Sequence, residues 1–283
     1  MDDAATAVPA AVEVDGLIAR YGSKTVLDGV SCAVAPGEIH VILGGSGSGK
    51  STLLKHMIGL LRPAAGDVRL LGEDFVTCDE DGRERLLVRI GVLFQGGALL
   101  ESLDVAGNVA LPIIERHQLP ADVVDALVDM KLALVGLPAS RHLFPRELSG
   151  GMRKRAALAR AIAADPEVLF CDEPSAGLDP VSAAALDQLL LDLRARFGMA
   201  IVVISHELTS IRAIADRVTM LAGGKVCAQG TLAVVEQVDH PFVRAFFGRD
   251  GEAQVEADNL YDNLCLPQAS PGQPHPPASG ANR

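Results

Sequence analysis

Apolar positions along the chain switch between two spacings. Val12, Val14 and Leu17 open a run that reads as strand, and residues 26–34 and 39–43 follow as two more, with Pro36-Gly37 as a turn. Ile39, Val41, Ile42 and Leu43 are nearly continuous, the pattern of a strand buried on both faces. A Gly-rich stretch comes next, then a predicted helix over 50–61, stopped by Pro63. Residues 68–71 and 90–94 read as strands, with helical 83–89 between them. From 98 to 164 the pattern is mostly helical: Val123, Val124, Leu127, Val128 and Leu132 recur at helical spacing within 122–135, and a further helix follows Ser149 and runs to about 164. Alternation then resumes, with strands at 168–171 and 201–204, helices at 182–197 and 208–215, and a hairpin of 218–221 and 225–229 around Gly223-Gly224. Strands alternating with helices predict an α/β fold with a parallel sheet covered on both faces, interrupted by an inserted helical subdomain.

Composition narrows this reading. The chain has 283 residues, room for one large or two small domains. With 49% hydrophobic and 22% charged residues it has the means to build a core, which excludes a chain disordered throughout, a collagen and a disulfide miniprotein. Lys and Arg number 25 against 36 Asp and Glu, a formal charge of −11. That lacks the basic excess of a nucleic-acid binder, so no nucleic-acid partner is expected. Five cysteines, widely spaced and without a CxxC pair, predict neither a disulfide framework nor a zinc site, and fit a reducing compartment. The opening MDDAATAVPA has no secretory pattern, and no run approaches the roughly 18 apolar residues of a membrane span. If the protein works at a membrane, another chain is expected to cross it. From Asp250 the sequence turns acidic and then Pro-rich, which predicts an extension over 249–283 whose last part, 267–283, builds no core.

Three segments carry chemistry. Gly44-Gly45-Ser46-Gly47-Ser48-Gly49-Lys50-Ser51, followed by Thr52, fits GxxxxGK[ST] between a buried strand and a helix, the context this motif needs. Glycines let backbone N–H groups turn inward around phosphate oxygens, and the helix N-terminus adds partial positive charge. Lys50 is the candidate for the β/γ-phosphates and Ser51 for Mg²⁺. Leu169-Phe170-Cys171-Asp172-Glu173 is an apolar strand ending in two acids, at the strand end where α/β sheets bind ligands. Asp172 suits a Mg²⁺ site, and Glu173 suits a general base that polarises water. Leu148-Ser149-Gly150-Gly151-Met152 opens another helix, with Ser149 as N-cap and uncovered N–H groups at Gly150 and Gly151. One nucleotide does not need two anion-binding helix ends, so the second end is expected to serve a nucleotide held by another copy of the chain.

These motifs, in this order, resemble the ATP-binding subunit of an ABC transporter over about residues 10–248. The resemblance implies a P-loop NTPase with a RecA-like parallel sheet, an antiparallel β subdomain and a helical subdomain over about 96–160. It also implies roles for further residues. Tyr21 would stack on adenine. Gln95 would touch Mg²⁺ and the attacking water and relay nucleotide state to a membrane permease. His206 would contact the γ-phosphate, and Asp179 in Ser175-Ala176-Gly177-Leu178-Asp179 would cross the interface of a head-to-tail homodimer closed around two ATP molecules. Met152, where most such ATPases carry glutamine, and the stretch from Phe94 to Leu103 are similar to the Mla/Mce branch, which powers phospholipid movement between bacterial membranes. That branch implies a place on the cytoplasmic face of the inner membrane, a permease, a small accessory cytoplasmic protein and a periplasmic lipid-binding MCE-type protein. Phe242, Phe246, Phe247, Leu260, Tyr261, Leu264 and Leu266 are apolar beads around the acidic stretch, and the resemblance implies that residues 249–266 grip the neighbouring copy or a small accessory protein. The competing readings are a non-transport ABC ATPase, the ATPase of an importer for another substrate, and a P-loop kinase or GTPase. P-loop kinases and GTPases lack an LSGG helix, and no NKxD guanine motif is present here.

Overall fold

Apolar runs in the sequence become strands whose side chains alternate between two cores. The computed structural model describes residues 9–116 and 118–248. In chain order it forms β1 (Val12–Tyr21), β2 (Lys24–Val34), β3 (Ile39–Gly44), α1 (Lys50–Met57), β4 (Ala65–Leu70), β5 (Glu73–Asp74), α2 (Glu80–Leu87), β6 (Ile90–Leu93), α3 (Val105–Arg116), α4 (Ala121–Leu134) and α5 (Gly150–Ala161). There follow β7 (Val168–Asp172), α6 (Pro180–Phe197), β8 (Ala200–Ile204), α7 (Leu208–Ile214), β9 (Arg217–Ala222), β10 (Lys225–Gly230), α8 (Leu232–Val235) and α9 (Pro241–Phe247). Six strands make one sheet in the order β10-β9-β3-β8-β7-β6, parallel except where β10 returns antiparallel along β9. A second, antiparallel sheet runs β2-β1-β4-β5.

Alternation on the parallel strands is strict. Ile39, Val41 and Leu43 of β3, Leu169 and Cys171 of β7, and Ile201 and Val203 of β8 enter one core, shared with the helices α3, α4, α5 and α6. Ile42, Val168, Phe170, Val202 and Ile204 enter the other, shared with α1 and the antiparallel sheet. With both faces covered, only the carboxyl ends of the strands are open to a ligand. The two sheets meet beside β3: the Asp28 N–H of β2 donates to the Gly224 carbonyl in the β9–β10 turn at 2.9 Å.

One helix departs from the sequence reading. α1 ends at Met57, short of Pro63. Gly59 takes φ +72°, its N–H bonds to the His56 carbonyl, and the Leu60 N–H bonds to the Lys55 carbonyl. This paired left-handed cap ends the helix, and a side chain at Gly59 would sit 2.2 Å from the Phe75 ring. Phe242 and Phe246, the first of the apolar residues singled out near the C-terminus, lie on α9 buried in this chain's own core, with Phe247 packed beside them. The expected grip over 249–266, with Leu260, Tyr261, Leu264 and Leu266, lies outside the described residues.

Within the helical block α3 packs on α4 and α5. Asn108 of α3 is fully buried and ties down the loop that follows Gln95. Its Oδ1 accepts the Leu100 N–H at 2.7 Å, and its Nδ2 is within bonding distance of the carbonyls of Leu100, Leu103 and Asp104. Replacing one partner of such a network orphans the rest at about 1–3 kcal/mol. Asn108→Ala is therefore expected to lower unfolding free energy by about 2 kcal/mol in urea titration, and an unchanged midpoint would contradict this account.

Candidate active site

The cradle begins where β3 ends. Gly44 has φ +152°, and a side chain there would meet the Leu221 carbonyl at 2.3 Å and Ser48 Oγ at 2.7 Å. Gly49, the N-cap of α1, has φ +102° and sits against Leu27 of β2, where a Cβ would fall 2.4 Å from Cδ2. Only glycine fits both positions. Ser46, Gly47 and Ser51 are exposed, Thr52 is half-buried, and Gly45 and Ser48 are buried. Ser48 Oγ has no hydrogen-bond partner among the described residues. Lys50 folds back over the loop, with Nζ donating to the Gly44 carbonyl at 2.6 Å and the Gly45 carbonyl at 2.8 Å. The loop is thus held around its own ammonium group, a charge placed where the motif needs one for phosphate.

Asp172 and Glu173 stand at the end of β7, next but one to β3 in the sheet. Asp172 Oδ1 is buried with no hydrogen-bond partner among the described residues. Burial and the neighbouring Glu173 push its carboxyl above the ordinary range, against the pull of Lys154, Lys50 and Lys55. Such a site is relieved by a cation: a buried, unpaired carboxylate oxygen beside the Ser51 hydroxyl's helix is the oxygen donor set that Mg²⁺ takes. Glu173 has φ +49°, unusual for a residue with a side chain. Its N–H bonds to the Ile204 carbonyl at 2.9 Å, and its Oε2 is buried without a hydrogen-bond partner among the described residues.

His206, just past β8, bonds through Nδ1 to Glu173 Oε1 at 2.7 Å. The resemblance implies a γ-phosphate contact for His206; its ring here bonds the candidate base. The hydrogen bond to Glu173 raises the imidazole pKa, and burial opposes this. Gln95 is exposed just beyond β6, and Tyr21 is half exposed at the β1–β2 turn.

Ser149 caps α5 as expected, its Oγ accepting the Met152 N–H at 3.2 Å. Ser149 and Gly150 are exposed. The atoms nearest a side chain at Gly150 or Gly151 belong to Leu178 and Ser182, not to the cradle. Asp179 spends its carboxylate on capping α6, with Oδ1 accepting from Val181 N at 3.1 Å and Ser182 N at 3.0 Å. The chain therefore brings Lys50, Asp172, Glu173 and His206 to one edge and presents the Ser149 tip outward.

One residue of the site left no signal in the motifs. Lys154 is 8% exposed, and its Nζ donates to the carbonyls of Gln95 and Glu173, at 3.1 Å for the latter. Lys154 sits among Arg153 and Arg155 in the sequence, which gave no hint that it alone of the three is buried.

A raised histidine pKa contributes stability that is complete below the free imidazole's value and lost as pH rises through the folded one. In the nucleotide-free chain His206 is expected to titrate above the usual 6.5 by NMR and to move downward in Glu173→Gln. A midpoint at or below 6.5 in both would contradict the pairing.

The ABC transporter family profile matches residues 27–176. The chain is 40% identical over 235 residues to the Mycobacterium tuberculosis protein mkl, named for ribonucleotide transport, covering 83% of this chain and 66% of that protein's length. It is 39% identical over 225 residues to the Escherichia coli intermembrane phospholipid transport system ATP-binding protein MlaF, covering 80% of this chain and 84% of MlaF. Among solved structures, the dimeric post-hydrolysis state of the ATP-binding cassette MJ0796 bound to ADP and Pi superposes with a TM-score of 0.72 at 28% identity, over 78% of this chain and 98% of that one. A strand-fed glycine cradle, a paired acid strand end, an exposed LSGG tip and relatives of this closeness agree: the chain belongs to the ABC transporter family as an ATP-binding subunit.

Proposed function

We propose that this protein is the ATP-hydrolysing subunit of a phospholipid transporter at the cytoplasmic face of a bacterial inner membrane, working as a head-to-tail homodimer. One observation carries the reading: Lys50, Asp172, Glu173 and His206 share one edge, while the Ser149 tip that would complete a nucleotide site faces away from its own cradle. Each chain offers two half-sites, and a second copy completes both.

Residues 1–248 form the nucleotide-binding unit in this reading and 249–283 an extension. Backbone N–H groups of Gly44 through Thr52 bind the phosphates, Lys50 leaves its loop carbonyls for the β/γ-phosphates, and Tyr21 stacks on adenine. Ser51, Gln95 and Asp172 would hold Mg²⁺, which would supply charge neutralisation at the phosphates. Glu173 orients and deprotonates water once His206 swings from it to the γ-phosphate. Ser149, Gly150 and Gly151 bind that phosphate from the partner copy, and Asp179 sits at the seam. The ATP-bound and hydrolysed states then differ in how firmly two copies adhere, which is the population shift a permease can use.

Among the described residues no helix is long and apolar enough to cross a membrane, so a separate permease carries the lipid path in this reading. Next to Gln95, a cleft of about 280 Å³ lined by Leu60, Leu87, Phe94, Pro112 and Arg116 gives the permease a docking place. A periplasmic MCE-type protein and a small accessory cytoplasmic protein complete the proposed assembly. The relatives' names point to two cargoes, phospholipid and ribonucleotide. Met152 and the 94–103 stretch favour phospholipid, and lipid analysis of the complex pulled from detergent-solubilised membranes decides between them.

Glu173→Gln is expected to bind ATP, hydrolyse it at least about 100-fold more slowly and run as a dimer by light scattering only when ATP is present. Near-normal turnover would remove the base assignment, and a monomer with ATP bound would remove the shared-site reading. Lys50→Ala is expected to lose most nucleotide affinity, measured by calorimetry.

A further inference from the structure

Helix α5 joins two places that the reading above assigns to different nucleotides. At its tip Ser149 and Gly150 are exposed and Gly151 is half-buried, set against the Leu178 and Ser182 side chains of its own chain. Five residues on, about 7.5 Å along the axis, Lys154 turns inward. Its Nζ donates to the carbonyls of Gln95 and Glu173, in two irregular segments that no ladder secures. At Glu173 the backbone holds a positive φ, a conformation that persists only where surrounding bonds impose it. Lys154 supplies one such bond, the Ile204 carbonyl a second and His206 a third. Two turns further along α5, Arg160 donates to the Gly97 carbonyl at 3.0 Å and the Ala98 carbonyl at 2.6 Å, gripping the same loop beyond Gln95. Burial lowers the Lys154 pKa while Glu173 and Asp172 hold it up. An apolar side chain would fill this space at no desolvation cost, and a buried ammonium is retained where its hydrogen bonds do something an apolar group cannot.

We infer that Lys154 is a positioning residue that couples the two nucleotide sites, transmitting engagement of the Ser149 tip by one copy's ATP to the Glu173 and Gln95 backbone of the other site. The inference rests on the head-to-tail reading. A rigid helix links its ends without slack, so a shift of the tip reaches both carbonyls through one side chain. Losing the link leaves each site able to bind ATP but unable to align its base in step with its neighbour, and small misplacement of a reacting group costs about 10–100-fold.

The test uses the full chain assembled with its permease, comparing wild type, Lys154→Met and Lys154→Arg by ATPase rate against ATP concentration and by thermal melting. Lys154→Met is expected to keep KM within about twofold and lose about tenfold or more in kcat. Its Hill coefficient is expected to fall from above one to one, with Lys154→Arg recovering most of both. A Lys154→Met protein with wild-type kcat and Hill coefficient overturns the inference. So does one whose kcat falls only as its folded fraction falls, with cooperativity intact. Glu173→Gln separates this from failure of the parent reading: if it forms the ATP-dependent dimer while Lys154→Met behaves as wild type, only the coupling role is lost. If it forms no such dimer, the head-to-tail reading fails and the inference goes with it.

Discussion

Covering both faces of a parallel sheet leaves a ligand nowhere to bind except at the strand ends, and polar groups inside the strands must pair with each other, as His40 does with Thr219 at 2.8 Å. In β3, β7 and β8 successive side chains enter opposite cores, and each strand stops where its first group that must meet water or phosphate appears: Gly44, Asp172, and the Ser205-His206 pair after β8. The phosphate cradle, the acid pair and the histidine are neighbours for that reason, although 162 residues separate Gly44 from His206. The sheet determines where chemistry can occur, and the loops determine which chemistry it is.

Those loops are held by bonds to backbone carbonyls. Lys50 grips Gly44 and Gly45, Lys154 grips Gln95 and Glu173, Arg160 grips Gly97 and Ala98, and Asn108 secures the segment around Leu100. Carbonyls in irregular segments lack ladder partners, and long basic or amide side chains replace them. At the same buried edge Ser48 Oγ, Asp172 Oδ1 and Glu173 Oε2 have no hydrogen-bond partner among the described residues.

The His206–Glu173 bond ties two neighbouring strand ends together. The carboxylate favours the protonated imidazole and raises its pKa, while burial opposes the shift. The contact joins residues 33 apart in the chain and forms because β7 and β8 lie side by side in the sheet.

Local sequence determined a good deal here. Strand periods placed β3, β7 and β8, the GxxxxGK[ST] run placed the cradle, Ser149 announced its own cap, and the order of motifs identified the family. Each strand, loop and cap depends on residues close together in the chain, and the family on the order of such local motifs. What tertiary structure decided depends on approach from afar. Gly59 ended α1 because Phe75 occupies the space a side chain would need. Phe242 and Phe246 went to the core because the first sheet layer left a face for α9 to cover. His206 met Glu173 because β8 lies beside β7, and Lys154 reached two carbonyls because α5 packs beneath both loops. No spacing along the chain encodes which polar group another will meet once the sheet has ordered its strands.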